Sequence, residues 1–407
     1  MSVSITGTPR TYTPAYNEQV VVASSTQTAQ TNFRYRCEIV DNTLTNVLAT
    51  VDVFPDANNL CVFDAKRVIE SYVTSNPTLT SMTELSYCAE SFKQYYVKVL
   101  ERYGSTLANH SSGITSVIYA FNAAQRWEDF VGWDDENYFI KTGNVVNFLT
   151  NAPDNQVINS NEKAFLHFGV KTDVIARYLR VRTYDSSSSL LQTVLIRNNY
   201  YDFHIANGAG KLMRAPSGWN LNDLDGAELI SGAQPIITSS VASWVIDVVK
   251  SNGTTALTNT RTFIAGTECT PHTSYRVHFL NALGGFDSFT FNRKHEIKDT
   301  ITKQSFEPVY GSVSGGAWSY AKTDQRKKDF YIETNQTYKL NSDWISEAQS
   351  TWLYELITSP EVYIEIGGSW RSCYVKAAEY IEKIQVSDKI FNLEMEIELG
   401  KSIRQRW

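Results

Sequence analysis

Along much of this chain apolar and polar residues alternate with a period of two, the pattern of strands that bury one face. Phe33, Tyr35, Cys37 and Ile39 alternate with Arg34, Arg36 and Glu38, which predicts a half-buried strand with a charged outer face. Thr50 to Phe54 reads as a second strand, closed by the turn-rich run Pro55-Asp56-Ala57-Asn58-Asn59. Gln94 to Arg102 is a third, with Tyr95, Val97 and Val99 on one face, and Ser116 to Asn122 a fourth. One short helix interrupts them over Asp64 to Val73, with Asp64 as N-cap, Val68, Ile69 and Tyr72 inward, and Asn76-Pro77 as its stop. Short strands separated by turn clusters predict an immunoglobulin-like or fibronectin-like sandwich over residues 1–125.

Residues 126–291 read as a second β domain, a further sandwich. Leu179 and Val181 sit between Arg180 and Arg182, and Asp185 followed by four serines turns the chain into Leu190 to Arg197. Asn252-Gly253 joins Ser243–Lys250 to Thr255–Ile264, because both residues tolerate positive φ. Ser274–Asn281 and Phe286–Phe291 form another hairpin through Leu283-Gly284-Gly285. Between the first two segments, Trp127 to Asn137 carries five carboxylates. Hard cations favour such oxygens, but the alternating spacing of a calcium loop is missing, so the stretch reads as a solvated acidic linker.

Residues 292–407 complete the chain as a split-barrel-like β unit with one packed helix. The helix is predicted over residues 342–357, with Ser342 as N-cap, Ile345, Ala348, Trp352 and Leu356 as its buried stripe, and Ser359-Pro360 as its stop. Phe330 to Asn335, Val362 to Ile366 and Phe391 to Leu399 alternate as strands. The last has five apolar residues on one face and Asn392 with three glutamates on the other. Gly311 to Lys328 is long, rich in small residues and weakly periodic. Segments of this kind are mobile or functional. It reads either as a mobile loop or as an arm that docks on a neighbour through Trp318 and Tyr320.

Composition narrows the classes. The chain has 407 residues, a net charge of −6 and 13% aromatic residues, 23 of them Tyr. The length allows several cores, and the aromatic excess suits strands and interfaces. A chain without a basic excess is a poor candidate for sequence-specific nucleic-acid binding. No run approaches the ~18 apolar residues of a membrane-spanning helix, and no secretory signal is expected at the N-terminus. The five cysteines are widely spaced without a Cys-x-x-Cys, which argues against a disulfide framework or a zinc site. Cys37 is expected to be a small core hydrophobe, in a chain made in a reducing cytoplasm. Three Asn-x-Ser/Thr sequons, at Asn109, Asn252 and Asn335, read as coincidental.

No catalytic set stands out. His167 and His278 fall within strands, where structural roles are expected, and none of the six histidines has a nucleophile-elbow context. Gly208-Ala209-Gly210-Lys211 lacks the spacing and the following Ser or Thr of a phosphate loop. Arg326-Lys327-Lys328, flanked by Asp324 and Asp329, reads as a solvated loop and not a phosphate site. With Trp318 and Tyr320, these three basic residues are the candidates for subunit contact. No cofactor, metal or catalytic residue is assigned.

Three stretches resemble structural proteins from the tails of tailed bacteriophages, of the kind that infect Bacteroidetes-type hosts. They are the Pro-Asp turn followed by Cys61-Val62-Phe63-Asp64-Ala65-Lys66-Arg67-Val68-Ile69-Glu70-Ser71-Tyr72-Val73, the hairpin Tyr275 to Phe289, and Trp352 to Pro360 with the closing strands. The C-terminal layout is similar to the split-barrel-plus-helix unit of tail-tube, distal-tail and hub proteins. The resemblance implies a homo-oligomeric ring around a channel through which DNA passes, contacts with other tail or neck proteins, and a place in the virion after assembly in the host cytoplasm. No long β-hairpin arm is evident in the sequence, which favours a hub, ring or adaptor position over a tube. The alternative is a carbohydrate-binding adhesin or receptor binder at the tail tip. A glycan-cleaving tail enzyme is a third reading, and it would need two carboxylates about 5–10 Å apart.

Overall fold

The computed structural model describes residues 3–75, 83–141, 143–171, 176–200, 211–266, 272–376, 391–400 and 403–405. The protein is mainly β, with several sheets and a few short helices. Contacts divide the chain into two compact units. One comprises residues 1–268 with 280–287, the other 269–279 with 288–407. Asn76, Pro77, His204, Gly208, Ala209, Gly210 and Cys269 lie outside the described residues.

The first unit opens with a sandwich. One sheet orders Val3–Gly7, Val20–Ser25 and Leu60–Asp64; the other orders Tyr12–Pro14, Ile118–Phe121, Phe92–Tyr103, Arg34–Val40 and Val47–Val53. The predicted alternation holds: Tyr35, Cys37, Ile39, Tyr95, Val97 and Val99 are buried, and they meet Val21, Ala23, Cys61 and Phe63 of the opposite sheet. On the outer face Arg36 pairs with Asp52 at 2.9 Å, and Arg102 reaches the same carboxylate. The expected helix is shorter, Lys66–Ile69 continuing as a 3-10 turn to Tyr72. Its N-cap position is Ala65, while Asp64 accepts from the backbone of Gln19 and Lys66. Tyr72 points outward, beneath the Lys93 ammonium.

The second core of this unit lies between Phe165–Val170 with Lys211–Pro216 and a six-stranded sheet centred on Tyr178–Tyr184 and Ser243–Val249. The serine turn forms as expected, with Asp185 accepting from Ser187 and Ser189 and Ser188 at positive φ. Gly253 turns the next hairpin at φ +70. Its return arm pairs at Ala256 opposite Val249, departs over Leu257 to Asn259, which hydrogen-bond to Val248 and Val146, and rejoins the ladder at Arg261.

The boundary near Gln125 falls inside this unit. Tyr12 and Phe139 have ring centroids 4.5 Å apart, and Phe121, Trp133 and Leu149 join the same apolar cluster. The acidic stretch is solvated over much of its length, with Trp127, Glu128, Asp129, Val131 and Glu136 exposed, and is packed at Trp133 and Asp135. Asp135 is buried and pairs with Lys171 at 2.7 Å, Asp134 caps a 3-10 turn, and Trp133 stacks on Tyr138 and donates to the Tyr12 carbonyl. Burying a carboxylate requires such a partner.

In the second unit one sheet runs through Tyr275–Leu280, Val362–Ile366, Ser369–Val375, Phe391–Leu399, Lys328–Ile345 and Glu296–Phe306, with Phe286–Phe291 beyond Tyr275–Leu280. The helix spans Glu347–Thr358, five residues later than expected at its start. The true N-cap is Ser346, which forms a capping box with Gln349; residues 342–345 continue the preceding strand, and Ser342 accepts from Leu393 N. Ala348 is exposed, and the buried face is Trp352, Leu353 and Leu356, with Trp352 against Phe279 and Phe289. The closing strand follows its pattern, with Leu393, Met395 and Ile397 buried and Glu394 and Glu396 outside.

Candidate interaction surface

The structure contains a long β-hairpin arm, contrary to the expectation from the sequence, and the ground for preferring a hub, ring or adaptor over a tube falls with it. Glu296–Phe306 pairs antiparallel with Lys328–Ile345 from Glu296↔Lys339 out to Phe306↔Lys328. Eleven residues at the usual strand rise of about 3.3 Å give a ribbon of roughly 36 Å. Periodicity does not reveal it, because Asp299 and Lys303 interrupt the apolar phase of Glu296–Phe306. A strand without a covering core need not alternate cleanly.

The ribbon is nevertheless two-faced. Cross-strand partners share a face. Ile297 lies opposite Tyr338, Ile301 opposite Thr334 and Lys303 opposite Ile332. The reverse face carries Lys298, Thr300 and Thr302 with Thr337, Asn335 and Glu333. At the base Tyr338 is buried, edge-on to Tyr275. Farther out the same face is open: Ile297 is 47% and Ile301 57% exposed. Beyond a register shift, Phe306 and Phe330 pair edge-to-face, both open to solvent. Apolar side chains of this face, interrupted by the Asp299–Gln336 pair and by Lys303, therefore continue along the arm without a cover from the chain's own described residues.

The tip is structured as well, and the weakly periodic loop is corrected to a small hairpin. Ser312–Ser314 pairs with Ala317–Ser319 across Gly315-Gly316, whose φ values are +64 and +83. Only such residues take that turn without strain. Trp318, opposite Val313, is 52% exposed, and Tyr320 is 70% exposed. Tyr320 meets Tyr310 edge-on at 6.0 Å, and the Arg326 guanidinium lies over the same Tyr310 ring while pairing with Glu307 at 3.6 Å. Lys327 is exposed, and Lys328 belongs to the ladder as the partner of Phe306. Of the five residues singled out, the geometry thus joins Tyr320 and Arg326 through Tyr310. Trp318 stands on the small hairpin, and Lys328 at its root. Tyr310, Ile297 and Ile301 were not foreseen; the Gly-Gly turn between Val313 and Trp318 was the available signal.

The histidines expected in strands are interior. His167 is buried, its Nδ1 accepts from Phe286 N, and burial holds its pKa well below the ordinary imidazole value. His278 is buried too, stacked on Trp370 at 3.8 Å with Glu365 3.6 Å away. Among the described residues no group of three or more His, Cys, Asp or Glu side chains is arranged to hold a metal, and no helix is long and apolar enough to cross a membrane. No protein-family model and no curated protein matches the chain.

Proposed function

We propose that the chain is a non-enzymatic structural protein of a tailed-bacteriophage virion, a ring-forming component of the tail (hub, ring, adaptor or tube) that closes with copies of itself around the DNA channel. The observation that carries this reading is the uncovered apolar face of the Glu296–Phe306/Lys328–Ile345 arm. Among the described residues Glu296–Phe306 is also the terminal strand of its sheet, with one backbone edge available for pairing. Long edges of this kind invite a neighbour, while Lys298 and Lys303 disfavour indiscriminate pairing. Head-to-tail contacts that close by rotation generate rings. In this reading the partners are other copies of the chain and other tail or neck proteins. Membrane and sequence-specific nucleic acid are not partners, and the protein resides in the virion after assembly in the host cytoplasm.

The test is the mass of the purified chain in solution and its negative-stain image at high concentration, beside a variant in which residues 307–327 are replaced by Asn-Gly. Phe306 and Lys328 are cross-strand partners, so a two-residue turn joins them. Closed rings from the native chain and weaker ring formation by the tip-deleted variant, whose arm stays intact, are the expected result. A strict monomer or trimer at every concentration, combined with glycan binding, would favour the adhesin.

A further inference from the structure

The N-terminal sandwich holds two thiols face to face. Cys37 lies on the inner side of Arg34–Val40 and Cys61 on the inner side of Leu60–Asp64. The strands belong to opposite sheets: Cys37 is laddered to Val51 and Val99, and Cys61 to Ala23. Both side chains are fully buried, and their sulfurs stand 3.5 Å apart. A disulfide needs about 2.05 Å, so each sulfur has to move by less than about 1 Å. Wide sequence spacing concealed the pair, since proximity across a sandwich is set by topology.

We propose that Cys37 and Cys61 are a covalent modification site, forming an intersheet disulfide when the chain meets a disulfide oxidant such as glutathione disulfide. One cysteine loses its proton and attacks a glutathione sulfur, and a glutathione thiolate leaves. The second cysteine then attacks the protein sulfur of the mixed disulfide and expels the other glutathione. The protein gives up two protons and two electrons, and one glutathione disulfide becomes two glutathiones.

Access governs the rate. The hydrogen bond to Cys61 and burial both raise the Cys37 thiol far above its ordinary range, so Cys37 offers little thiolate in the closed sandwich. Among the described residues, however, Leu60–Asp64 is the terminal strand of its three-stranded sheet. Local opening of an edge strand exposes Cys61 without unfolding the other sheet. The thiols therefore persist in a reducing compartment, and the link forms slowly in the folded chain or rapidly during refolding with oxidant. The proposal is independent of the virion reading.

The experiment refolds the full reduced chain from denaturant in a glutathione redox buffer, alkylates the remaining thiols and maps the peptides. The expected product is a Cys37–Cys61-linked peptide, with free thiols falling from five to three. The oxidised chain should unfold roughly 2–4 °C higher than the reduced one, and a dithiol should reverse the shift. Refolded chains whose Cys37 and Cys61 stay free, or carry separate glutathione adducts, would overturn it. Because Cys37→Ala opens a void in the core, Cys88→Ala and Cys373→Ala serve as further arms. Either should leave the linked peptide in place, and its disappearance would reassign the pairing.

Discussion

Strands Arg34–Val40 and Glu296–Phe306 are both ladder members of antiparallel sheets, yet they live in opposite environments. In the first, every second side chain is buried against a facing sheet; in the second, no side chain is buried. The first strand's periodicity is enforced by a core, where a polar group on the inner face costs several kcal/mol unless it is paired. The second answers only to whatever covers it from outside. It therefore carries Ile297 and Ile301 with Asp299 and Lys303 on the same face, a mixture that a solvated ribbon tolerates. Burial disciplines a sequence, and an arm is recognised by its lack of that discipline together with an apolar face it does not use.

The largest effect is expected at a charge buried on the sheet face that alternates with the core residues Ile246 and Val248. Asp247 is fully buried and lies directly across from Arg180, which grips it through two bonds of 3.0 and 2.6 Å and also donates to the Thr254 carbonyl. Asp247→Ala leaves a guanidinium with much of its solvation lost and no carboxylate opposite. The first unit should lose about 3–5 kcal/mol, read as a shift of its denaturant midpoint at unchanged slope. A loss below about 1 kcal/mol would place this pair with surface ion pairs, and the contrast between core and arm would weaken.

The same contrast explains what the sequence disclosed. The mainly β class, the phases of Tyr35, Val97 and Met395, the Asn252-Gly253 turn and the stop at Pro360 were all legible, because each follows from local periodicity or turn chemistry. The N-cap is Ser346 and not Ser342: counting Ile345 into the apolar stripe starts the helix too early, whereas Ile345 ends the preceding strand and Ser346 closes a capping box with Gln349. Ala348 fits the helical spacing but faces solvent because the helix packs through Trp352, Leu353 and Leu356. Pairings set by topology were illegible: Asp135 with Lys171, Asp247 with Arg180, Cys37 with Cys61, and the whole register of the arm. Of the candidate surface, Trp318, Tyr320 and Arg326 were visible as isolated aromatic and basic residues. The apolar face leading to them was not.

A smaller, pH-dependent effect separates the two regions further. His167 is neutral in the folded chain because burial, and secondarily the Arg214 charge, depress its pKa. The unfolded chain takes up a proton near the ordinary value of about 6.5. Below that pH the unfolded state binds more protons, so stability present above pH ~6.5 is lost as pH falls toward the folded-state pKa. The first unit should lose about 1.4 kcal/mol per pH unit over this interval from His167 alone. Urea midpoints between pH 7.5 and 5 check it, and His167→Asn should remove that part of the slope. Equal slopes in native and variant chains would mean that His167 is protonated in the folded state.

The smallest effect on stability carries the most about function. Ile297→Ser and Ile301→Ser change side chains that are about half open to solvent on a ribbon with no covering core. Surface substitutions of this kind shift unfolding by no more than about 0.5 kcal/mol. The corresponding change at Ile39, which is fully buried, removes core contacts and should cost about 2–5 kcal/mol. If the arm docks on a neighbouring copy, the two isoleucine variants should unfold like the native chain yet fail to assemble, as measured by sedimentation across a concentration series. An amphipathic ribbon gains its affinity from the few apolar groups that lose water on contact. Removing two of them should therefore affect the assembly far more than the fold. Variants that assemble normally would transfer the docking role to the Trp318 and Tyr320 tip, and Trp318→Ser would then be the discriminating change. Variants that unfold early would mean that the arm is already part of a core, and its contrast with Arg34–Val40 would disappear.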